Sequence, residues 1–168
     1  MVDLPDGLAR FNGASPEDAL ATAMSCAAVP RWARDVAAGR PYPDVAAALE
    51  RARGSAVPFT DDEVGAALAR HPRIGQRPTT VGRDAEHSRR EQAGVGVDPE
   101  SARRLEEGNR RYEDRFGHVF LIRAAGRDAA EILAALEERL GNDPATERRV
   151  AAEQLREIAV LRLEGELS

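Results

Sequence analysis

The chain holds 168 residues, with 24 basic and 29 acidic side chains, a formal net charge of −5 and one cysteine, Cys26. That length suits one domain able to bury most of its unfolded surface, and a lone cysteine excludes both an intramolecular disulfide framework and a multi-cysteine zinc site. All 24 basic residues are arginine, which excludes a lysine Schiff base, pyridoxal phosphate anchored on lysine and a P-loop, while the acidic balance argues against nucleic acid as a partner.

In chain order the pattern is helical. Met1 to Asp6 lack the basic start and apolar core of a secretory leader. Ser15-Pro16-Glu17-Asp18 reads as an N-cap, a proline at N1 and an acidic first turn. The helix behind it carries Ala19, Leu20, Ala23 and Met24 and must end before Pro30. Arg31 to Val36 open a short helix that stops near Gly39, and Tyr42, Val45 and Leu49 recur at helical spacing. Thr60-Asp61-Asp62-Glu63 is a capping box, and its helix must finish close to His71, because Pro72 disfavours helical backbone in the residue before it. A loop through Gly75 and Pro78 leads to a helix from about Arg83 to Gln92, stopping near Gly94. Asp98-Pro99-Glu100 caps the next helix, whose stripe is Ala102, Leu105, Asn109, Tyr112 and Phe116, ended by Gly117. Val119 to Ile122 is the one strand-like run. Asp128 with Glu131 caps a helix bearing Ile132, Leu133, Leu136 and Leu140, and the last helix begins around Pro144. The expected fold is all-α: one domain over residues 1–168, a bundle of seven or eight helices with a polar cleft. No apolar run approaches the roughly 20 residues of a membrane span. The final tripeptide is no peroxisomal address, so a cytoplasmic protein is expected.

Candidate chemistry is sparse. His71 sits where a helix is forced to stop, between being a plain C-terminal histidine and an imidazole opening to a cleft, where it would suit proton transfer near neutral pH. Asp84, Ser88, Glu91 and Gln92 share one face of the next helix, either solvated or presenting a hydroxyl, a carboxylate and an amide to a small polar ligand. Arg162 lies on or near the apolar stripe of the last helix, where it either snorkels outward or points inward at an anion. Asn109 interrupts another stripe, as a buried structural amide would. His118 follows a helix-ending glycine. His87 and Glu91 are four apart, but nothing nearby resembles a zinc helix; His87 is expected to be solvated and no metal site is expected.

His71-Pro72-Arg73-Ile74-Gly75 followed by Ser88-Arg89-Arg90-Glu91-Gln92 closely resembles the signature of the 2-oxo-4-hydroxy-4-carboxy-5-ureidoimidazoline (OHCU) decarboxylases of urate breakdown. The resemblance continues in Asn109, Tyr112, Phe116-Gly117 and Phe120-Leu121-Ile122, back to Phe11-Asn12, Cys26, Trp32 and Arg40-Pro41, and forward to Arg162-Leu163. It departs at His118-Val119 and Ala27-Ala28, which bear on local packing. The resemblance implies an all-helical, homodimeric, cofactor-free carboxy-lyase that converts OHCU to (S)-allantoin and carbon dioxide. It implies that His71 is the catalytic histidine and Glu91 its carboxylate partner. Pro72, Ser88 and Gln92 would contact substrate, Phe120, Leu121, Ile122, Arg123 and Ala124 would offer backbone contacts, and Arg162 would meet the substrate. Two other readings remain open on the residues: a metal-dependent helical hydrolase using His71, His87 and Glu91, and a non-catalytic helical interaction module.

Overall fold

A computed structural model describes residues 4–75, 82–93 and 95–168, the side chains of Asp84 and Gln92 excepted. Among the described residues there are nine helices and no strand: α1 (Asp6–Gly13), α2 (Pro16–Cys26), α3 (Pro30–Ala38), α4 (Val45–Gly54), α5 (Asp61–Leu68), α6 (Arg83–Gln92), α7 (Pro99–Phe116), α8 (Ala129–Leu140) and α9 (Pro144–Leu167). The capping signals act as the sequence implies. Ser15, Asp44, Thr60, Asp98, Asp128 and Asp143 each accept backbone N–H groups at a helix start, satisfying donors that have no partner inside the helix. Thr60–Glu63 and Asp128–Glu131 are full capping boxes. Gly117 ends α7 at φ 75°, a backbone region that glycine occupies without penalty.

Two differences from the sequence reading have local causes. The short helix α1 was not expected; its N-cap is Pro5, with no side-chain cap bond, so it carries no capping signal. It is held instead by burying Leu8 and Phe11. Tyr42 precedes α4 rather than belonging to it, and its hydroxyl donates to Val36 O at 2.6 Å.

The helices enclose two apolar clusters. One gathers around α9, with α1–α5 packed about it; the other lies between α7 and α8. Alanine makes the first one tight: Ala19, Ala23, Ala33, Ala48, Ala52, Ala67, Ala151 and Ala159 are all buried, and small side chains let helix axes approach. In the second, a Cβ at Gly108 would come within 2.4 Å of Leu136 Cδ2, so any larger residue there would make the Leu136 side chain shift where α7 meets α8.

The strand-like run lies at the seam of these clusters. Residues 119–124 form no ladder, yet the period-two pattern is expressed: Leu121 joins the α9 cluster while Phe120, Ile122 and Ala124 join the other. Side chains satisfy backbone groups that a sheet would otherwise pair. Leu121 O accepts from Arg139 Nη1 at 2.6 Å, and Arg123 N donates to Gln154 Oε1 at 2.9 Å. Arg139 is itself held by buried Glu147, which accepts from its Nε at 2.8 Å, from Asn142 Nδ2 at 2.8 Å and from the Tyr112 hydroxyl. Burial and that carboxylate push the Tyr112 phenol well above its ordinary pKa, so it remains a donor. The departure at His118 is a packing matter, as expected: its ring stacks on Phe116 and meets Tyr112 edge-on.

Candidate active site

Four elements converge on one cavity at the seam. It is lined by His71, Pro72 and Ile74 after α5, Ser88 and Glu91 of α6, Phe120, Leu121, Ile122 and Ala124 of the extended run, and Ile158 and Arg162 of α9. The described residues leave about 20 Å³ of space there, enough for one or two waters.

Each polar group is positioned by its local backbone. His71 follows the last turn of α5, and its Nδ1 lies 2.9 Å from Ala67 O, four residues back. A carbonyl can only accept, so Nδ1 carries the hydrogen and Nε2 is the basic nitrogen of the neutral ring. Ser88 and Glu91 are one helical turn apart on α6 and so face the same way. Arg162 points inward, with a side chain 4% exposed. It donates Nε to Glu91 Oε1 at 2.6 Å, Nη2 to Glu91 Oε2 at 2.9 Å and Nη2 to the Ser88 hydroxyl at 3.3 Å. That fork-on-fork pairing is the strongest geometry open to a guanidinium and a carboxylate. It answers the sequence-level question about Arg162: the side chain faces an anion, and the anion is Glu91.

Of the residues singled out in the sequence, His71, Pro72, Ser88, Glu91, Phe120, Leu121, Ile122, Ala124 and Arg162 meet at this cavity. Arg123 is not among its lining residues, its side chain lying 3.4 Å from Glu157, although its backbone N–H is fixed by Gln154. Gln92 is the last residue of α6, and its side chain lies outside the described residues, as does that of Asp84. Asn109 is a buried structural amide, donating Nδ2 to Ile74 O at 3.1 Å.

His87 departs from its expected solvated state. It is 5% exposed, with Nε2 at 3.2 Å from Glu166 Oε1. Burial, with Arg162 nearby, pushes its imidazole below the ordinary histidine value. The polar composition of α6 hid this burial, for the helix has Ala85 as its one apolar residue. The available signal was the spacing of Arg162 and Glu166, one turn apart on a helix that presents acid and base to α6. His87 does not line the His71 cavity but a second one behind the Glu91–Arg162 pair. Among the described residues no group of three or more His, Cys, Asp or Glu side chains can hold a metal ion. Nor is any helix among them long and apolar enough to cross a membrane.

Residues 12–164 match the family model described as OHCU decarboxylase. A protein of Amia calva named 2-oxo-4-hydroxy-4-carboxy-5-ureidoimidazoline decarboxylase is 40% identical over 97 residues, covering 56% of this chain and 55% of that one. A protein of the same name from Haloferax volcanii is 33% identical over 134 residues, covering 68% of this chain and 77% of that one. The chain spans about half the length or less of the first curated relatives it matches: 55%, 31% and 54%. Among solved structures, an OHCU decarboxylase crystallised in the presence of (S)-allantoin superposes with TM-score 0.69 and 27% identity, covering 89% of this chain and 96% of that one. An (S)-allantoin synthase at 18% identity and TM-score 0.64 shares the fold.

Proposed function

The chain belongs to the OHCU decarboxylase family, and from that premise we propose that it converts OHCU to (S)-allantoin and carbon dioxide in urate catabolism, with His71 and Glu91 as its proton-transfer pair and no cofactor. The observation that carries this reading is the convergence of His71, Ser88, Glu91, Phe120, Leu121, Ile122, Ala124 and Arg162 on one cavity. A non-catalytic module has no need of a desolvated ion pair beside an imidazole in a cavity.

The chemistry asks little beyond orientation. Breaking the carbon–carboxylate bond releases carbon dioxide and leaves an electron pair, which the substrate's own ring accepts through its conjugated nitrogen. That nitrogen takes up one proton, the net proton of the reaction. The enol hydroxyl proton then moves to the neighbouring ring carbon, and delivery from one side sets the S configuration. His71 Nε2 is the base that carries this proton, its ring held through Nδ1 by Ala67 O. Glu91 stabilises the imidazolium formed during the transfer. Arg162 pairs with the substrate carboxylate, and Pro72, Ser88, Gln92 and the backbone of Phe120 to Ala124 orient the ring and ureido groups.

The working unit we propose is one helical domain over residues 1–168, acting as a cytoplasmic homodimer on this small molecule, with no nucleic-acid or membrane partner. The alanine-rich helices and the family resemblance support a two-fold assembly. The test is to generate OHCU from urate in situ and add the protein, extensively dialysed against a chelator. Faster appearance of optically active allantoin supports the reading; a loss restored by one particular metal overturns the cofactor-free part.

A further inference from the structure

His71 sits between the two apolar clusters. Before it, α5 ends on Leu68 in the cluster around α9; after it, Ile74 is buried in the cluster of α7 and α8. The stretch from His71 to Gly75 is neither helix nor strand, so its path depends on what holds it at each end. At the near end His71 N donates to Leu68 O at 3.1 Å, and the ring is bonded to Ala67 O. At the far end α7 supplies two ties. Asn109 Nδ2 donates to Ile74 O at 3.1 Å. Glu113, one turn further on the same helix face, takes Arg73 in a fork, Nε to Oε1 and Nη2 to Oε2, each at 2.5 Å. A fork fixes direction as well as distance. Neither contact is well suited to adding stability alone. Asn109 is buried between Leu105 and Tyr112 on the stripe of α7, and its Oδ1 has no partner among the described residues; an unpaired buried acceptor offsets much of what one bond contributes. The Arg73–Glu113 pair is partly exposed, where an ion pair contributes little. What the two contacts share is their target, the residues directly after His71-Pro72.

Resting on the reading that the reaction takes place at the His71 cavity, we propose that Asn109 and Glu113 are positioning residues: from one face of α7 they hold the backbone after His71, and so set where its imidazole stands against the opposite wall. Neither is among the described residues that line the cavity, so they act through Ile74, Arg73 and His71 and do not touch substrate. The same helix also governs the opposite wall. The Tyr112 hydroxyl meets Glu147, Glu147 holds Arg139, and Arg139 Nη1 donates to Leu121 O at 2.6 Å. The His71 loop and the 120–124 run are thus both referenced to α7, one directly and the other through Glu147 and Arg139. Proton transfer by His71 Nε2 is sensitive to that spacing, since a misplacement of about 1 Å can lower a rate about 10²-fold.

The test separates placement from stability. Asn109→Leu keeps the stripe apolar and removes the donor; it should lower kcat for OHCU about 10²-fold and leave KM nearly unchanged. Arg73→Glu and Glu113→Arg each break the fork and should lower kcat about tenfold. Their melting temperatures should stay close to that of the wild type, because the pair is partly solvated. The exchange variant Arg73→Glu/Glu113→Arg rebuilds the pair and should recover most of kcat. Arg111→Ala, which breaks the exposed pair of α7 with Glu137, should leave kcat unchanged. Nitrogen NMR of the three histidine rings reads placement without turnover. The His71 signals should shift or broaden in Asn109→Leu and Glu113→Arg while those of His87 hold. Unchanged His71 signals in these folded variants, a loss confined to KM, or an exchange variant no better than the single ones overturns the proposal. If Asn109→Leu does not fold, the surface pair decides alone. A wild-type protein inactive on OHCU would defeat the functional reading alone, because the ring signals still report how His71 is held.

Discussion

Replacing Glu147 by Gln tests how the scaffold holds the reacting side of the molecule. Glu147 is fully buried, and Arg139, its partner, is 7% exposed. The carboxylate accepts from Arg139 Nε at 2.8 Å and Nη2 at 2.5 Å, from Asn142 Nδ2 at 2.8 Å and from the Tyr112 hydroxyl. Glutamine keeps the size but removes the charge, so the Arg139 guanidinium remains buried without a counter-ion. Breaking a buried pair this way costs about 3–5 kcal/mol. The Tyr112 and Asn142 bonds lose their charged acceptor too, but they belong to one network and do not add independently. In a domain of this size each kcal/mol moves the melting temperature by roughly 2–4 °C, so the loss is about 6–20 °C. Circular dichroism melts and urea titrations with an unchanged m-value would measure it. The double variant Arg139→Met/Glu147→Leu should recover much of the stability, because no charge is left orphaned. It should not recover turnover, since Arg139 Nη1 no longer holds Leu121 O beside the cavity. A loss below about 1 kcal/mol for Glu147→Gln, or full turnover in the double variant, would refute this account of the seam.

Replacing His71 by Asn should lower turnover about 10²–10⁴-fold, and Glu91→Gln by a comparable factor. The double variant should be little worse than either, because groups acting as a unit are not additive; losses that multiply would contradict the pairing. Glu91→Gln should also melt lower than His71→Asn, since it alone takes the counter-ion from buried Arg162. The Glu63 carboxyl is held down to about 2 by the Arg31 guanidinium, from an ordinary value of 4.5. A depressed carboxylate contributes stability above its unfolded pKa, so this contribution is lost as pH falls from 4.5 toward 2, and Glu63→Gln should flatten acid-induced loss of melting temperature in that window. Light scattering at micromolar concentration should give twice the 18.2 kDa chain mass; a clean monomer would contradict the homodimer.

The parts legible in the sequence are those governed by local chemistry. Six side-chain caps, two capping boxes and Gly117 act at short range, so Ser15, Thr60, Asp98 and Asp128 announce their helices. That His71, Pro72, Ser88 and Glu91 belong together was legible because His71-Pro72 and Ser88-x-x-Glu91 are short motifs on adjoining elements, and all four line one cavity. What escaped depends on distant partners. The run at 119–124 reads as a strand because its side chains alternate, but they alternate between two helical cores, and Arg139 and Gln154 replace the neighbouring strand. Burial of His87 is imposed by α9, seventy-five residues or so along the chain, and nothing in the polar sequence of α6 signals it. The Arg162–Glu91 fork likewise joins residues 71 apart. It changes the sequence-level picture of Glu91, whose carboxylate oxygens are both bonded to Arg162 while Ala67 O holds His71 Nδ1.

The most direct measurement is stereochemical. Urate is oxidised and its hydroxyisourate hydrolysed by two separate enzymes so that OHCU accumulates, this protein is added, and the circular dichroism of allantoin is followed. The account predicts accelerated formation of the S enantiomer, lost with His71→Asn in a folded protein. Racemic allantoin forming at the uncatalysed rate would contradict it.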